Sequence, residues 1–445
     1  MDVYGWGRYP TISAELLAPV DAKSMAGIVN RLQQPASIIP RGAGRSYGDS
    51  SLALQILSSR FLDSFLAVDE ANATIRCGAG VTLDEILKIC IPRGWFPMVM
   101  PGTKFVSVGG AIAADIHGKN HHRDGSFCDH IVEFSLLLAS GETVNCGKTE
   151  NSELFFATCG GMGLTGVILD ATIRFEKVSS VLIRQQSISA SNLDDCLQSL
   201  DEHNDAKYSV AWLDCLATGD ALGRSIIYLG EHCEGDSATT KLKHTRRHRL
   251  SVPLNMPAFL LNRFSMGLFN SCYFNLKKGR PSMTSINYDN YFFPLDNIQH
   301  WNRLYGAKGF LQYQFVIPLE SAAEGISQVL SKVSSAGKGS FLSVLKRFGE
   351  ANKNFLSFPK AGYTLTLDFK YEKNLFPLLD ELDRIVVDHG GRIYLAKDAR
   401  MQEDVFKSSY ENWDKFLEIK NRVDPNQLFA SLQSDRLGLT TNAQR

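Results

Sequence analysis

The chain has 445 residues, more than one hydrophobic core usually organises, and domains of about 100–200 residues lead us to expect two of them. Hydrophobic residues at 44% and charged residues at 21% exclude a disordered or fibrous chain. Lys and Arg together number 47, as do Asp and Glu, and this balance leaves no footprint for a nucleic-acid partner.

The N-terminal MDVYGWGRYP lacks the charged and apolar regions of a signal peptide. No run reaches the ~18 apolar residues of a membrane span; the nearest, 256–274, is interrupted by Asn262, Arg263 and Asn270. A glycine-rich stretch, RGAGRSYGDSS, occupies 41–51. Residues 73–80 predict a strand, followed by a helix that Thr82 and Glu85 open as a capping box and Gly94 ends. A second glycine-rich stretch covers 101–122, and 130–146 is two apolar runs around Ser140 and Gly141, a hairpin signature. Residues 153–175 pass from a helical stretch through glycines into a β-branched strand. After about residue 180 the glycine clusters thin out. YSVAWLDCL, FLQYQFVIPL and YTLTLDF alternate like strands, while Ile326, Val329, Leu330 and Val333, and later Leu375, Leu378, Leu379, Leu382, Ile385 and Val386, recur at helical spacing. The polar segment 231–250, basic toward its end, is expected to be an exposed, mobile excursion. Nine cysteines, none in a CxxC pair, read as reduced thiols buried as small apolar residues, which points to a reducing compartment.

Either glycine-rich stretch alone reads as tight turns between strands. Neither matches a dinucleotide G-x-G-x-x-G between strand and helix, nor a phosphate loop ending in GK[ST]. Glycine nevertheless permits positive φ and close backbone approach, so loops of this kind can aim successive N–H groups at a phosphate. Together, RGAGRSYGD, PGTKFVSVGGAIAADIHGKNHH and GGMGLTGVI resemble the FAD-binding domain of the vanillyl-alcohol-oxidase-like flavoproteins. Within them the chain is most similar to the decaprenylphosphoryl-β-D-ribose 2′-oxidase family, a likeness that continues through GFLQYQFVIP, FLSVLKRFG, LSFP, YLAKDAR and VDPNQLFAS. The resemblance implies an α+β fold in two parts: an FAD-binding domain over 1–180 completed by 391–445, and a substrate-binding domain over 181–390 built on an antiparallel sheet covered by helices.

Carried over residue by residue, the resemblance puts Arg41, Gly42, Ala43, Gly44, Arg45, Ser46, Tyr47 and Gly48 in one half of a pyrophosphate cradle. Pro101, Gly102, Thr103, Ser107, Gly109 and Gly110 form the other half. Gly163, Gly166 and Ile168 lie on the ADP side, and Ala113, His117, Gly118, Asn120, His121 and Tyr394 are also set against the cofactor. In many relatives the residue before the loop serine is a histidine bonded to the flavin. Here it is Arg45, whose guanidinium stays protonated and cannot form that tether. The expectation is a noncovalent FAD, with Arg45 beside the pyrophosphate rather than in a surface ion pair.

A flavin oxidising a carbinol leaves the protein to aim the C–H bond and to receive the hydroxyl proton. His117, in a glycine-flanked loop, is expected near the sugar hydroxyl as general base; a structural histidine is the alternative. Lys397 is a competing base or a charged anchor, and the residue types leave that open. Gln314 is expected to hydrogen-bond flavin or sugar, with Gln312 two residues away on the same strand face. Tyr47 joins this catalytic set or packs. Lys119 and Lys346 suit a substrate phosphate, and Trp212, Phe292 and Thr366 complete the substrate site. Relatives of this family carry a cysteine at the position of Thr366, so thiol-directed inactivation there is expected to fail. Adjacent His121 and His122 lack carboxylate or cysteine partners at suitable spacing, so no metal site is expected.

The implied reaction is FAD-dependent oxidation of the 2′-hydroxyl of a polyprenylphosphoryl-β-D-ribofuranose to the 2′-keto sugar. A separate keto-sugar reductase would complete epimerisation to an arabinose donor for cell-envelope polysaccharide. A lipid-linked substrate implies peripheral membrane association, with 241–249 for attraction and 256–274 for insertion, the alternative being a solvated loop and ordinary core. An aldonolactone oxidase acting on a soluble lactone is the competing enzyme, against which Arg45 and DIHGKNHH weigh. A flavin-binding scaffold without activity is the third reading, against which His117 and Lys397 weigh.

Overall fold

The computed structural model describes residues 1–32, 37–234, 250–257, 260–279 and 282–441. The basic stretch 241–249, and with it most of the excursion expected over 231–250, lies outside the described residues.

Local signals in the first 180 residues fold as their chemistry dictates. Thr82 Oγ1 accepts from the Glu85 N–H, and the Glu85 carboxylate accepts from the Thr82 N–H at 2.8 Å, opening the helix Leu83–Cys90. Gly94, at φ 71°, ends the 3-10 turn Ile91–Arg93 that follows. The hairpin pairs Ile131–Leu137 with Thr143–Gly147. Its first strand lies beside Val167–Lys177, which also pairs with Thr74–Gly78 and Trp95–Pro97; Phe65–Asp69 forms the far edge of this sheet. A small parallel sheet holds Glu15–Leu17, Gln55–Ser58 and Ile38–Arg41.

The second, larger sheet has eight strands, all antiparallel, in the order Met283–Asn287, Leu182–Ala190, Ser225–His232, Tyr208–Leu213, Ser343–Phe348, Gly362–Lys370, Phe310–Ile317 and Arg392–Ile393. The helices Leu319–Ser335 and Leu375–Asp388 cover one face, burying Ile326, Val329, Leu330 and Val333 from the first and Leu375, Leu379, Leu382 and Val386 from the second. All eight residues of Phe310–Ile317 are buried, so both faces of that strand are covered. Arg392–Ile393 still belongs to this sheet; beyond it the chain returns to the first part. There Ala430 N–H donates to the Ile38 carbonyl at 3.1 Å, and Arg436 pairs with Asp49 at 2.8 Å.

Seven of the nine cysteines are buried, Cys233 is half-buried and Cys272 is exposed on a helix. Among the described residues no helix is long and apolar enough to cross a membrane.

Candidate flavin and substrate site

The strand Ile38–Arg41 delivers the first glycine loop, and the second precedes the helix Val108–Ala113. Ser107 joins them: its Oγ accepts from the Gly110 N–H at 3.4 Å and from the Ala43 N–H at 3.3 Å. A Cβ on Gly42 would stand 2.0 Å from that hydroxyl, so the approach of the two loops requires glycine. From the other side, Trp6 N–H donates to the Ser46 carbonyl at 2.8 Å and Tyr47 N–H to the Ala396 carbonyl at 3.0 Å. The chain's N-terminal segment and its return from the larger sheet thus clamp the loop, and they bring Lys397 Nζ to 4.0 Å from the Tyr47 ring centre.

These loops border a cavity of about 1210 Å³, larger than the ~300–1,000 Å³ of an ordinary small-ligand pocket. One wall is backbone-rich: both glycine loops, then Met162, Gly163, Gly166, Val167 and Ile168. A Cβ on Gly102 would meet no atom within 4 Å, leaving its backbone open on that side. The opposite wall is a face of the larger sheet. Gln314 stands opposite Thr366, Thr366 opposite Val344, and Val344 opposite Trp212, while Gln312, Val210 and Lys346 complete the surface. Side chains alternate along a strand, so the polar members of strands buried on both faces are those turned to the cavity.

Cations dominate this space. Among the described residues its walls hold Arg41, Arg45, Lys119, Lys346 and Lys397 against one carboxylate, Asp296. Burial pulls Lys119 and Lys397 down to about 7 and Lys346 to about 8; Lys346 depresses the other two further, and Asp368 raises Lys397. Cations desolvated this way, with so little opposite charge, favour an anionic occupant. Lys119 donates to the Tyr291 carbonyl and sits 4.2 Å from that ring's centre. The Arg45 guanidinium stacks 4.3 Å from the Trp6 ring centre, and its Nε donates to the Phe105 carbonyl at 3.3 Å. Glycine loops held together through Ser107, an open backbone at Gly102 and the two arginines of the first loop, Arg41 and Arg45, fit a flavin dinucleotide, whose pyrophosphate needs N–H donors and positive charge.

His117 lies where the walls meet. Its Nε2 is 2.9 Å from Gln314 Nε2, and its ring packs against Phe348 and Tyr394 with centroids 4.8 and 5.2 Å away. Burial, then the charges of Lys346, His121 and Lys397, hold it far below the ordinary imidazole range, so it is neutral. Its buried Nδ1 has no hydrogen-bond partner among the described residues and is the nitrogen left for a ligand. Asp115 secures the approach to this loop: its Oδ2 accepts from Asn352, Asn354 and Ser357 at 2.7, 2.8 and 2.6 Å. Tyr394 adds an O–H donated to the Ala114 carbonyl at 2.9 Å.

Three expected cofactor contacts lie off the cavity wall. Gly48 is a packing glycine, since a Cβ there would come within 1.6 Å of the Asp398 carbonyl oxygen. Asn120 is buried and donates to the Met98 carbonyl at 2.7 Å and to Asp124 at 2.6 Å. His121 packs on Phe348 and accepts from the Gly349 N–H at 3.2 Å. A recognisable string contains residues that shape a loop as well as residues that touch a ligand. The remaining expected residues line the cavity, Phe292, Ala113, Gly118 and Thr103 included.

The sequence reading passed over Asp368, which accepts from Gln312 Nε2 at 2.6 Å and Tyr305 O–H at 3.2 Å and whose carboxyl burial pushes up to about 7. Its signal was present: Thr364, Thr366 and Asp368 are the polar alternates of YTLTLDF. It also missed Lys104, buried with Nζ 2.5 Å from Asp289 and 3.1 Å from Asp84, which ties the second glycine loop to 288–297.

Residues 14–147 match the family model of the FAD binding domain, and 307–437 that of D-arabinono-1,4-lactone oxidase. Decaprenylphosphoryl-β-D-ribose oxidase of Mycolicibacterium smegmatis is 36% identical across 98% of this chain and 97% of its own length. An uncharacterised protein of Streptomyces coelicolor is 34% identical across 81% of this chain and 100% of its own. L-gulonolactone oxidase 3 of Arabidopsis thaliana is 22% identical across 98% of this chain and 82% of its own.

Proposed function

The chain belongs to the decaprenylphosphoryl-β-D-ribose oxidase family of FAD-dependent oxidoreductases, and from that premise we propose that it oxidises the 2′-hydroxyl of a polyprenylphosphoryl-β-D-ribofuranose to the 2′-keto sugar. The observation that carries this reading is the set of desolvated lysines, Lys119, Lys346 and Lys397, sharing one cavity with a neutral His117. A phosphorylated sugar needs those cations; a neutral sugar lactone does not.

Bound FAD supplies the two-electron acceptor for the hydride leaving the carbinol carbon. His117 Nδ1 receives the hydroxyl proton in the tautomer that carries its hydrogen on Nε2, with the Gln314 amide turned so that its oxygen accepts from Nε2–H and fixes the ring. Lys397 stays charged and offsets the negative charge that develops on the substrate oxygen. Lys119 and Lys346 hold the phosphate, with Gln312, Thr366, Trp212 and Phe292 shaping the sugar pocket and Tyr47 supporting Lys397 through its ring. The 2′-ketone then passes to a separate reductase that delivers hydride to the other face, giving the arabinose donor. The prenyl tail keeps the enzyme at the periphery of a membrane.

Anaerobic mixing tests the assignment. Polyprenylphosphoryl ribose is expected to bleach the flavin, and L-gulono- or D-arabinono-lactone is not; bleaching by the lactones alone reverses the conclusion.

The flavin is held noncovalently in this proposal, because Arg45 occupies the tethering position. Acid precipitation is therefore expected to release yellow flavin into the supernatant. Flavin retained in the pellet would show a covalent bond and remove this assignment.

A further inference from the structure

The helix Arg263–Lys277 carries large apolar residues on its outer side as well as its buried one. Met266, Asn270 and Phe274 follow one another at four-residue spacing on its buried side. Phe264, Leu268, Cys272 and Leu276 repeat that spacing on the outside, where the three large apolar residues are 86%, 68% and 65% exposed. An ordinary surface helix turns charged residues outward instead. Charge is biased in the same way: the described residues 250–257, 260–279 and 282–288 contain three Lys or Arg and no Asp or Glu. Arg263, Lys277 and Lys278 stand exposed at the two ends of the helix.

The same helix is also part of the reaction cavity. Met266, Phe269 and Tyr273 line it, facing an aromatic arm made by Trp212, Tyr228 and Phe341. Tyr228 and Tyr273 share a hydrogen bond of 2.6 Å, one hydroxyl donating and the other accepting, and the Tyr273 ring centre lies 4.5 Å from that of Trp212. Phe269 sits with its ring centre 6.1 Å from Phe341 and is itself 48% exposed, marking the place where arm and outer surface meet.

We propose that Arg263–Lys277 is a lipid-bilayer docking surface and the roof of a prenyl channel. Phe264, Leu268 and Leu276 enter the membrane interface, Arg263, Lys277 and Lys278 meet lipid phosphates, and the aromatic arm beneath takes the first isoprene units of a substrate drawn from the bilayer. The channel half of this statement rests on the lipid-linked substrate proposed above; the docking half stands on exposure and charge alone. A second copy of the chain is the poorer occupant, because a two-fold contact would set this acid-free region against itself, cation against cation.

The test uses the full-length, FAD-loaded protein and vesicles of phosphatidylcholine with about one-third phosphatidylglycerol. Wild type is expected to float with them, and the triple variant Phe264→Ser/Leu268→Ser/Leu276→Ser to bind at least about tenfold less while keeping its flavin. An environment-sensitive dye on Cys272 shifts to the blue when the labelled wild type meets vesicles. With a short-prenyl, water-soluble phosphoryl ribose the triple variant retains kcat/KM within about twofold; with the long-prenyl substrate held in vesicles it loses about tenfold. If wild type floats but oxidises neither substrate, the reaction assignment fails and the docking surface stands. Equal flotation of the two proteins, or none by either, overturns the surface. A wild-type dimer that the triple substitution dissolves, without flotation, assigns the face to self-association and overturns it too.

Discussion

Replacing His117 by Ala is expected to slow anaerobic flavin reduction by about 10²–10⁴-fold, the range over which a positioned proton acceptor contributes. The expectation follows from how the ring is held. Gln314 takes Nε2, Phe348 and Tyr394 fix the plane, and Nδ1 is left buried and without a partner among the described residues. His117→Gln is the sharper variant, because it keeps polar volume beside Gln314 and cannot receive the proton. It should lose as much rate as the alanine while retaining FAD and substrate affinity. A reduction rate within about threefold of wild type takes His117 off the catalytic list. The stability of the protein carries a second signature. Burial and the neighbouring cations lower the folded-state pKa, so protonation favours the unfolded chain. This contribution is fully present above the ordinary imidazole value of about 6.5 and declines as pH falls below it. The denaturation midpoint of His117→Gln should therefore fall less steeply than that of wild type between pH 7 and about pH 5.

The first 180 residues were the more legible part, because their signals are local. A capping box at Thr82 and Glu85, a hairpin around Gly141 and the glycine loops each act within a few residues, and each appears where the sequence put it. The sheet wall was legible in its strands but not in its order. Nothing near Gln314 states that Thr366 will stand opposite, or that Trp212 will lie two strands farther across; those neighbours are set by long-range register. Trp6 was invisible for the same reason: its stacking on Arg45 joins the N-terminus to a loop about forty residues on. The lysines show a different limit. Sequence makes an exposed lysine the ordinary outcome, and only the fold, by burying Lys119 and Lys397 around one cavity, turns them into groups that titrate at about 7. Gly48, Asn120 and His121 lie off the cavity wall, since a motif read as a string does not separate the residues that build a loop from those that face its contents.

Lys397→Met is expected to cost about 10²–10³-fold in kcat/KM, the effect of removing one preorganised charge from a water-poor site. Burial lowers Lys397 to about 7 while Asp368 opposes that shift, and burial raises Asp368 to about 7. The two groups therefore compete for protons across neutral pH. If Lys397 serves as a cation, kcat/KM of the wild-type enzyme must fall as pH rises through about 7, where the ammonium is lost. If it serves as the base, the same limb must rise. The roles of His117 and Lys397 are thus separated by the sign of one slope, and the cationic role assigned here requires the falling limb. That limb should become shallower in Lys397→Met, loss of the Lys119 and Lys346 charges supplying what remains. The methionine variant should also fold: without the ammonium, Asp368 is held neutral by its burial and keeps its hydrogen bonds to Gln312 and Tyr305. A variant that loses the rate and keeps the full limb would transfer the titration to Lys119 or Lys346, the other two depressed lysines of the cavity.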